Sequence, residues 1–165
     1  MLETSNQELI LDRFCGREVH PITSATWNLY RDDELERMTL CIHIEAGPGS
    51  TLNEDTKELD AEPWWELNVV DADLSDASLT TGSKWTLPDG YDESRGGHLT
   101  NFYYCEHESS DGNQIEILAV DGDRLLMRLT GETIDVNFYD GSKDPTKLLV
   151  ETWFSHDPKT LRSMS

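Results

Sequence analysis

Residues 113–139 read NQIEILAV-DG-DRLLMRL-TG-ETIDVNFY, which is three short apolar runs separated by two turn-forming dipeptides. Asp-Gly between alternating apolar residues is a strong hairpin signal, because a type I′ turn needs positive φ at both central residues. Two-residue loops at Asp121-Gly122 and Thr130-Gly131 therefore predict a three-stranded antiparallel meander.

The two predicted turns give one consistent register, since side chains alternate between the two faces of a strand. One face collects apolar side chains: Leu118, Val120, Leu125, Met127, Leu129, Ile134, Val136 and Phe138. A slip of one residue would scatter this face, so the agreement favours the meander. The opposite face places Arg124 and Arg128 diagonal to Asp135, which we interpret as a surface salt-bridge lattice. The alternative is a ligand- or partner-binding patch that contacts an anion on an otherwise negative protein.

The rest of the chain alternates strand candidates with turn-rich segments and has no convincing amphipathic helix. The candidates lie near residues 8–14, 19–30, 35–45, 64–70, 84–87, 98–108 and 147–155. The pattern predicts an all-β fold, a single antiparallel β-sandwich or partly closed β-barrel of about eight or nine strands. We expect one domain over residues 1–165, with 51–63 and 71–97 mainly loop and a tail at 156–165 that frays.

The chain is strongly acidic, with 33 Asp and Glu against 13 Lys and Arg and a formal net charge of -20. Nucleic acid is not expected as a partner, because its binding depends on neutralising phosphates, and an anionic membrane is disfavoured for the same reason. A basic protein is the partner that fits best, although the charge could instead maintain solubility or reflect a saline habitat. No apolar run is long enough to span a membrane and no signal peptide is evident, so a cytoplasmic location is expected.

Two Cys-x-His motifs lie on predicted strands, Cys41-Ile42-His43 and Cys105-Glu106-His107. Residues two apart share a face of a strand, so neighbouring strands would bring four zinc ligands together. The favoured alternative has no cofactor and consists of buried thiols and ordinary histidines. Three cysteines in a reducing compartment indicate free thiols.

Trp64 and Trp65 are adjacent in a predicted strand and must point to opposite faces. One of them is expected in the core, and the other on the surface, where an aromatic side chain can anchor a protein interface or stack on a sugar.

The favoured interpretation is a non-enzymatic interaction domain with a basic protein partner. The second is a small-molecule carrier or enzyme whose pocket, or zinc site, is built by the Cys-x-His strands and lined by Tyr103 and Trp64. The third is a carbohydrate-binding module. The sequence contains no Gly-x-Ser-x-Gly elbow, phosphate-binding glycine loop or His-Glu-x-x-His motif, which weighs against an enzyme. The oligomeric state stays open, a homo-oligomer included.

Overall fold

The computed structural model describes residues 6–51, 60–94, 96–136, 138 and 140–163. These residues form strands and one 3-10 turn at Asp76–Ser78. The strands are β1 Asn6–Arg13, β2 Gly16–Asp32, β3 Arg37–Ala46, β4 Ser50–Thr51, β5 Trp64–Val70, β6 Lys84–Leu87, β7 Tyr91–Asp92, β8 Gly97–His98, β9 Thr100–Tyr104, β10 Glu106–Glu108, β11 Asp111–Asp121, β12 Arg124–Thr133 and β13 Thr146–His156. The predicted all-β class is confirmed.

Ten strands form one continuous path in the order β10-β9-β5-β3-β2-β1-β13-β12-β11-β6, and β4 joins it by pairing with β2. The sheet is not closed into a barrel. The long strand β2 pairs first with β1 and then, from Ile22 onward, with β3. The end of β13 runs parallel to β2 at Ser155 and His156. These two strands thus connect the two halves of a curled sheet.

The two halves pack face to face around a buried apolar core. Trp65 of β5 has no exposed surface, and its indole Nε1 donates to the hydroxyl of Ser110 at 2.9 Å. A Cβ on Gly131 of β12 would lie 3.1 Å from Trp65 Cζ2 and 2.4 Å from Asn113 Oδ1. Gly131 therefore lets the β12 backbone approach Trp65 closely.

The first predicted hairpin exists, but its loop lies one residue further along the chain, so the pairing beside the loop is shifted by two residues. Asp121 pairs with Arg124, so the loop is Gly122-Asp123, and Gly122 has a φ of 62°. The register also shifts between Ile117 and Ala119, which is the mark of a β-bulge. Together these features bury Ile117, whereas Val120 of the predicted apolar face is exposed.

The second predicted turn is wrong. Thr130 and Gly131 lie within β12, where they pair with Leu149 and Leu148 of β13. The glycine is needed for contact with the opposite half of the sheet rather than for a turn. The β12–β13 pairing is therefore a long-range one, and the segment from residue 134 to 145 is the connection between the two strands.

The C-terminal segment from residue 157 to 163, called the tail below, does not fray. Thr160 and Arg162 are buried in it, and it packs on β2, β3 and β5 through contacts described below. The predicted loop at 71–97 contains β6 and the small β7–β8 ribbon. Most of the predicted loop at 51–63 lies outside the described residues.

A buried network of charged groups fixes the inside of the curled sheet. Arg13 of β1 donates two hydrogen bonds to Asp135, from Nε at 3.0 Å and from Nη2 at 2.9 Å. Its third nitrogen lies 3.3 Å from Glu18 of β2. Thr146 at the start of β13 donates to Asp135 at 2.9 Å. One guanidinium therefore joins β1, β2 and the connection between β12 and β13.

The same network continues across to the other half of the sheet. Glu18 accepts a hydrogen bond from the hydroxyl of Tyr104 in β9, and Nε2 of His20 lies 2.9 Å from the same carboxylate. The other ring nitrogen of His20 lies 2.9 Å from the carbonyl of Gly47. The guanidinium of Arg13 faces both buried carboxylates, Glu18 and Asp135, and buried charges require such a partner.

Substituting Gly131→Ala should destabilise the protein by about 1–3 kcal/mol, because the new methyl group overpacks the contact with Trp65 and Asn113. The measurement is the free energy of unfolding in urea. Gly47→Ala is the control, since its Cβ would meet Thr23 Cγ2 at an ordinary 3.6 Å. Equal stability of the two variants would contradict the close approach of the two halves.

Substituting Arg13→Met should cost about 3–5 kcal/mol, because it leaves two buried carboxylates without their cation. The exposed pair between Arg17 and Asp12 provides the control, and Arg17→Met should cost far less, because an exposed ion pair contributes little to stability. Urea unfolding of both variants measures the difference. A cost for Arg13→Met as small as that of Arg17→Met would show that the network contributes little.

Candidate functional site

The strongest candidate site is the outer face of β2, β3, β5, β9 and β10, which points away from the core. Alternation along each strand sends Ile42, Ile44 and Trp65 inward and places their neighbours outside. The outward side chains of the last four strands are Cys41, His43, Glu45, Trp64, Glu66, Asn68, Asn101, Tyr103 and His107. The tail covers one part of this face and leaves the other part open.

The open part carries four rings in contact, His43, Trp64, Tyr103 and His107, called the aromatic patch below. Trp64 lies at the centre, with ring centroids 5.4 Å from His43, 5.8 Å from Tyr103 and 5.5 Å from His107. The first two contacts are stacked and the third is edge-on. Cross-strand pairing explains the arrangement, because Trp64 is opposite Tyr103, and Tyr103 is opposite His107.

Polar groups border the aromatic patch and orient its histidines. His43 is 24% exposed and lies between two carboxylates, with Nε2 3.5 Å from Glu45 and Nδ1 3.9 Å from Glu66. His107 Nδ1 lies 3.1 Å from the side-chain oxygen of Asn101. Glu45 is 57% exposed, so its carboxylate is accessible to a partner. The arrangement offers ring surfaces and negative charge, which suit a cation.

The tail covers the rest of the outer face through side-chain contacts. Arg162 Nε donates to Asp32 at 2.9 Å, and its Nη2 lies 2.8 Å from Glu34. Thr160 donates to Thr26 at 2.8 Å, and Ser163 reaches Glu66. The ion pairs of Arg162 with Asp32 and Glu34 are thus the main contact that holds the tail on the sheet.

Glu66 is the residue at which the tail and the aromatic patch meet. It is 3% exposed and accepts hydrogen bonds from Ser163 N at 3.0 Å, Ser163 Oγ at 2.8 Å and Asn68 Nδ2 at 3.0 Å. Burial alone would raise the pKa of Glu66, but the neighbouring His43 and these donors outweigh it and hold the pKa below its ordinary value. Glu66 therefore stays ionised at neutral pH.

The proposed zinc ligands do not converge. β3, which carries Cys41 and His43, is separated from β10 by β5 and β9, so about 14 Å lies between the two strands. Cys41 is fully buried beneath the tail, whereas Cys105 is exposed at the β9–β10 turn with a φ of 62°. In the described part of the chain no three His, Cys, Asp or Glu side chains are placed to hold a metal ion. His43 and His107 meet only through Trp64.

The other predicted site residues lie apart from one another. Trp64 is in the aromatic patch, whereas Trp65 belongs to the core and cannot anchor a partner. Arg128 pairs with Glu151 at 2.7 Å.

The predicted diagonal contact of the two arginines with Asp135 is wrong, because it assumed the second turn. Arg124 lies over the ring of Trp153, 4.8 Å from its centroid, and Asp135 is bound to Arg13 in the interior.

Sequence reasoning missed the buried network and the fastening of the tail. Glu18 and His20 are two residues apart and share a face of β2, but the predicted strand began at residue 19 and left Glu18 outside it. Nothing in the local sequence indicates that Arg162 meets Asp32, since 130 residues separate them.

Comparisons with known proteins add no functional information. A scan against protein-family models and searches of curated proteins and of solved structures find no match to this chain. The described residues include no helix that is long and apolar enough to cross a membrane.

Replacing Glu66 by Gln should lower the stability at neutral pH by about 1–3 kcal/mol, because the donors of Ser163 and Asn68 lose a buried carboxylate. The pKa of Glu66 is lower in the folded protein than its ordinary value of 4.5. Its ionised carboxylate therefore stabilises the fold fully at pH values above 4.5, and this stabilisation is lost as the pH falls through the folded pKa.

The gap in unfolding free energy between the native chain and Glu66→Gln should therefore shrink as the pH falls below 4.5. The exposed Glu45→Gln serves as the control and should show no such gap. A gap that stays constant across this pH range would contradict the assigned role of Glu66.

Proposed function

We propose that this chain is a non-enzymatic interaction domain that binds a basic segment of a partner protein on the aromatic patch. The observation that carries the proposal is the position of Trp64, which is only partly buried and is surrounded by three further rings. Interface hot spots are enriched in aromatic residues at the centre of a contact. A partner that covers Trp64 would bury the whole patch.

The charge of the patch surroundings supports a basic partner. Glu45 and Glu62 are exposed beside Trp64, and both line the same groove together with Pro63. A Lys or Arg side chain can lie on a ring face while its charge reaches a carboxylate. The net charge of -20 would also accelerate the encounter with a basic protein and disfavour acidic ones.

The shape of the site favours binding of a segment over turnover of a small molecule. The hollows beside the patch are open grooves, one along Glu45 and Trp64 and another between His43 and the tail. Carriers and enzymes more often hold their ligands in deep pockets with converging polar groups. The expected cytoplasmic location remains part of this proposal.

Selection of random displayed peptides on the native protein tests the proposal. We expect the enriched peptides to contain Lys or Arg, and we expect Trp64→Ala to weaken their binding at least about 30-fold, as for a hot spot of 2 kcal/mol or more. Trp153→Ala is the matched control, because it removes a half-buried Trp from β13. It should leave binding unchanged.

Circular dichroism must show that Trp64→Ala is folded. Enriched peptides without basic residues, or equal binding to the native protein and to Trp64→Ala, would refute the proposed function.

A further inference from the structure

The tail is an extended segment that already occupies part of the outer face. Its backbone and side chains bind there through Arg162 in the clamp of Asp32 and Glu34, Thr160 on Thr26, and Ser163 on Glu66. In addition, the backbone N–H of Arg162 donates to the hydroxyl of Tyr30 at 2.6 Å. The tail therefore shows that this face binds an extended segment through an arginine side chain and hydroxyl groups.

The contact between tail and sheet is incompletely satisfied. Within the described residues, three buried side-chain polar atoms have no hydrogen-bond partner, namely Thr39 Oγ1, Asn68 Oδ1 and Arg162 Nη1. Arg162 is in the tail, and Thr39 and Asn68 flank Cys41 on the covered face. Buried polar groups without partners are costly. A segment that supplies hydrogen-bond partners to Thr39 Oγ1 and Asn68 Oδ1 would bind the strip more tightly than the tail does.

The covered strip is continuous with the aromatic patch. Ser163 binds Glu66, Glu66 lies beside His43, and His43 stacks on Trp64. The groove between tail and sheet is lined by Thr26, His43, Glu66 and Leu161. A segment that entered at Trp64 would run directly into the strip that the tail occupies.

We propose that this strip is the binding surface for an extended, arginine-bearing segment of the partner, whose guanidinium takes the place of Arg162 between Asp32 and Glu34. The tail occupies the strip in the isolated chain and leaves it when the partner binds. The segment that binds here must be basic, because Asp32 and Glu34 present two carboxylates to it. The inference rests on the proposed function and adds to it the position and chemistry of a second anchor.

The thiol of Cys41 provides a reporter of tail opening, because it is fully buried beneath the tail. In a full-length chain with Cys15→Ser and Cys105→Ser, Cys41 is the remaining thiol. Its rate of labelling by a disulfide reagent should rise by about tenfold or more in Arg162→Ala, a factor that corresponds to about 1.4 kcal/mol. Glu34→Gln weakens the clamp from its exposed side and should give a smaller increase, which provides a second readout if Arg162→Ala does not fold.

Gly131→Ala is the control, because it lowers global stability without touching the tail. Labelling that rises equally in Gly131→Ala and in Arg162→Ala would show that Cys41 is reached by global unfolding, and would overturn the proposal. Labelling unaffected by Arg162→Ala would overturn it as well.

Binding of a peptide tests the strip itself. The probe is Asp-Pro-Lys-Thr-Leu-Arg-Ser, the sequence of residues 157–163, and its control has Ala in place of Arg. We expect the peptide to bind Arg162→Ala at least about tenfold more tightly than the native chain, in which the attached tail competes at a high effective concentration. The Ala peptide should bind neither protein.

Equal binding of the two peptides would overturn the proposal. If Trp64→Ala still abolishes capture of the selected basic peptides in that case, the proposed function stands and only the second anchor fails.

Discussion

The hydrogen-bonded ion pairs of Arg13 constrain the fold more than any other contact described here. A guanidinium in the interior of a curled sheet requires carboxylates, and these come from Glu18, five residues away, and Asp135, 122 residues away. Tyr104 and His20 then satisfy the remaining oxygen and bring β9 against β2. An apolar core could pack in several registers, but this network requires Arg13 to meet both Asp135 and Glu18, and Glu18 to meet Tyr104. It therefore fixes how the two halves of the sheet meet.

The sequence predicted the strands where alternation is regular and failed where tertiary contacts override local signals. The strand at 35–45 and the opposed directions of Trp64 and Trp65 follow from the two-residue period alone. Thr130-Gly131 has the composition of a turn, yet Gly131 is there because Trp65 packs against the β12 backbone. No local rule separates these two uses of glycine. The same error misplaced Asp135, whose partner Arg13 lies 122 residues away.

The candidate site was predictable in its residue types and not in its assembly. All four rings of the patch were predicted as site residues. His43 and His107 were predicted from the Cys-x-His motifs, and Trp64 and Tyr103 as an exposed ring and as pocket lining. Whether they form a zinc site or a ring cluster depends on strand order. Here β5 and β9 lie between the two Cys-x-His strands, so Trp64 and Tyr103 fill the space that a metal would need. Sheet order arises from long-range pairing, which spacing within a motif does not encode.

The imbalance of charge gives a reason why the outer face is left open at the aromatic patch. With 33 acids and 13 bases, internal cations are scarce, and two arginines are committed to buried carboxylates: Arg13 inside the sheet and Arg162 in the tail. Within the described residues, Glu45 and Glu66 contact the ring of His43 and no arginine. An external cation on this patch would therefore not have to displace an arginine. At the clamp of Asp32 and Glu34 it would have to displace Arg162. On this argument the patch is the part of the face that a basic partner meets first, and the clamp is the part where an arginine gives it selectivity.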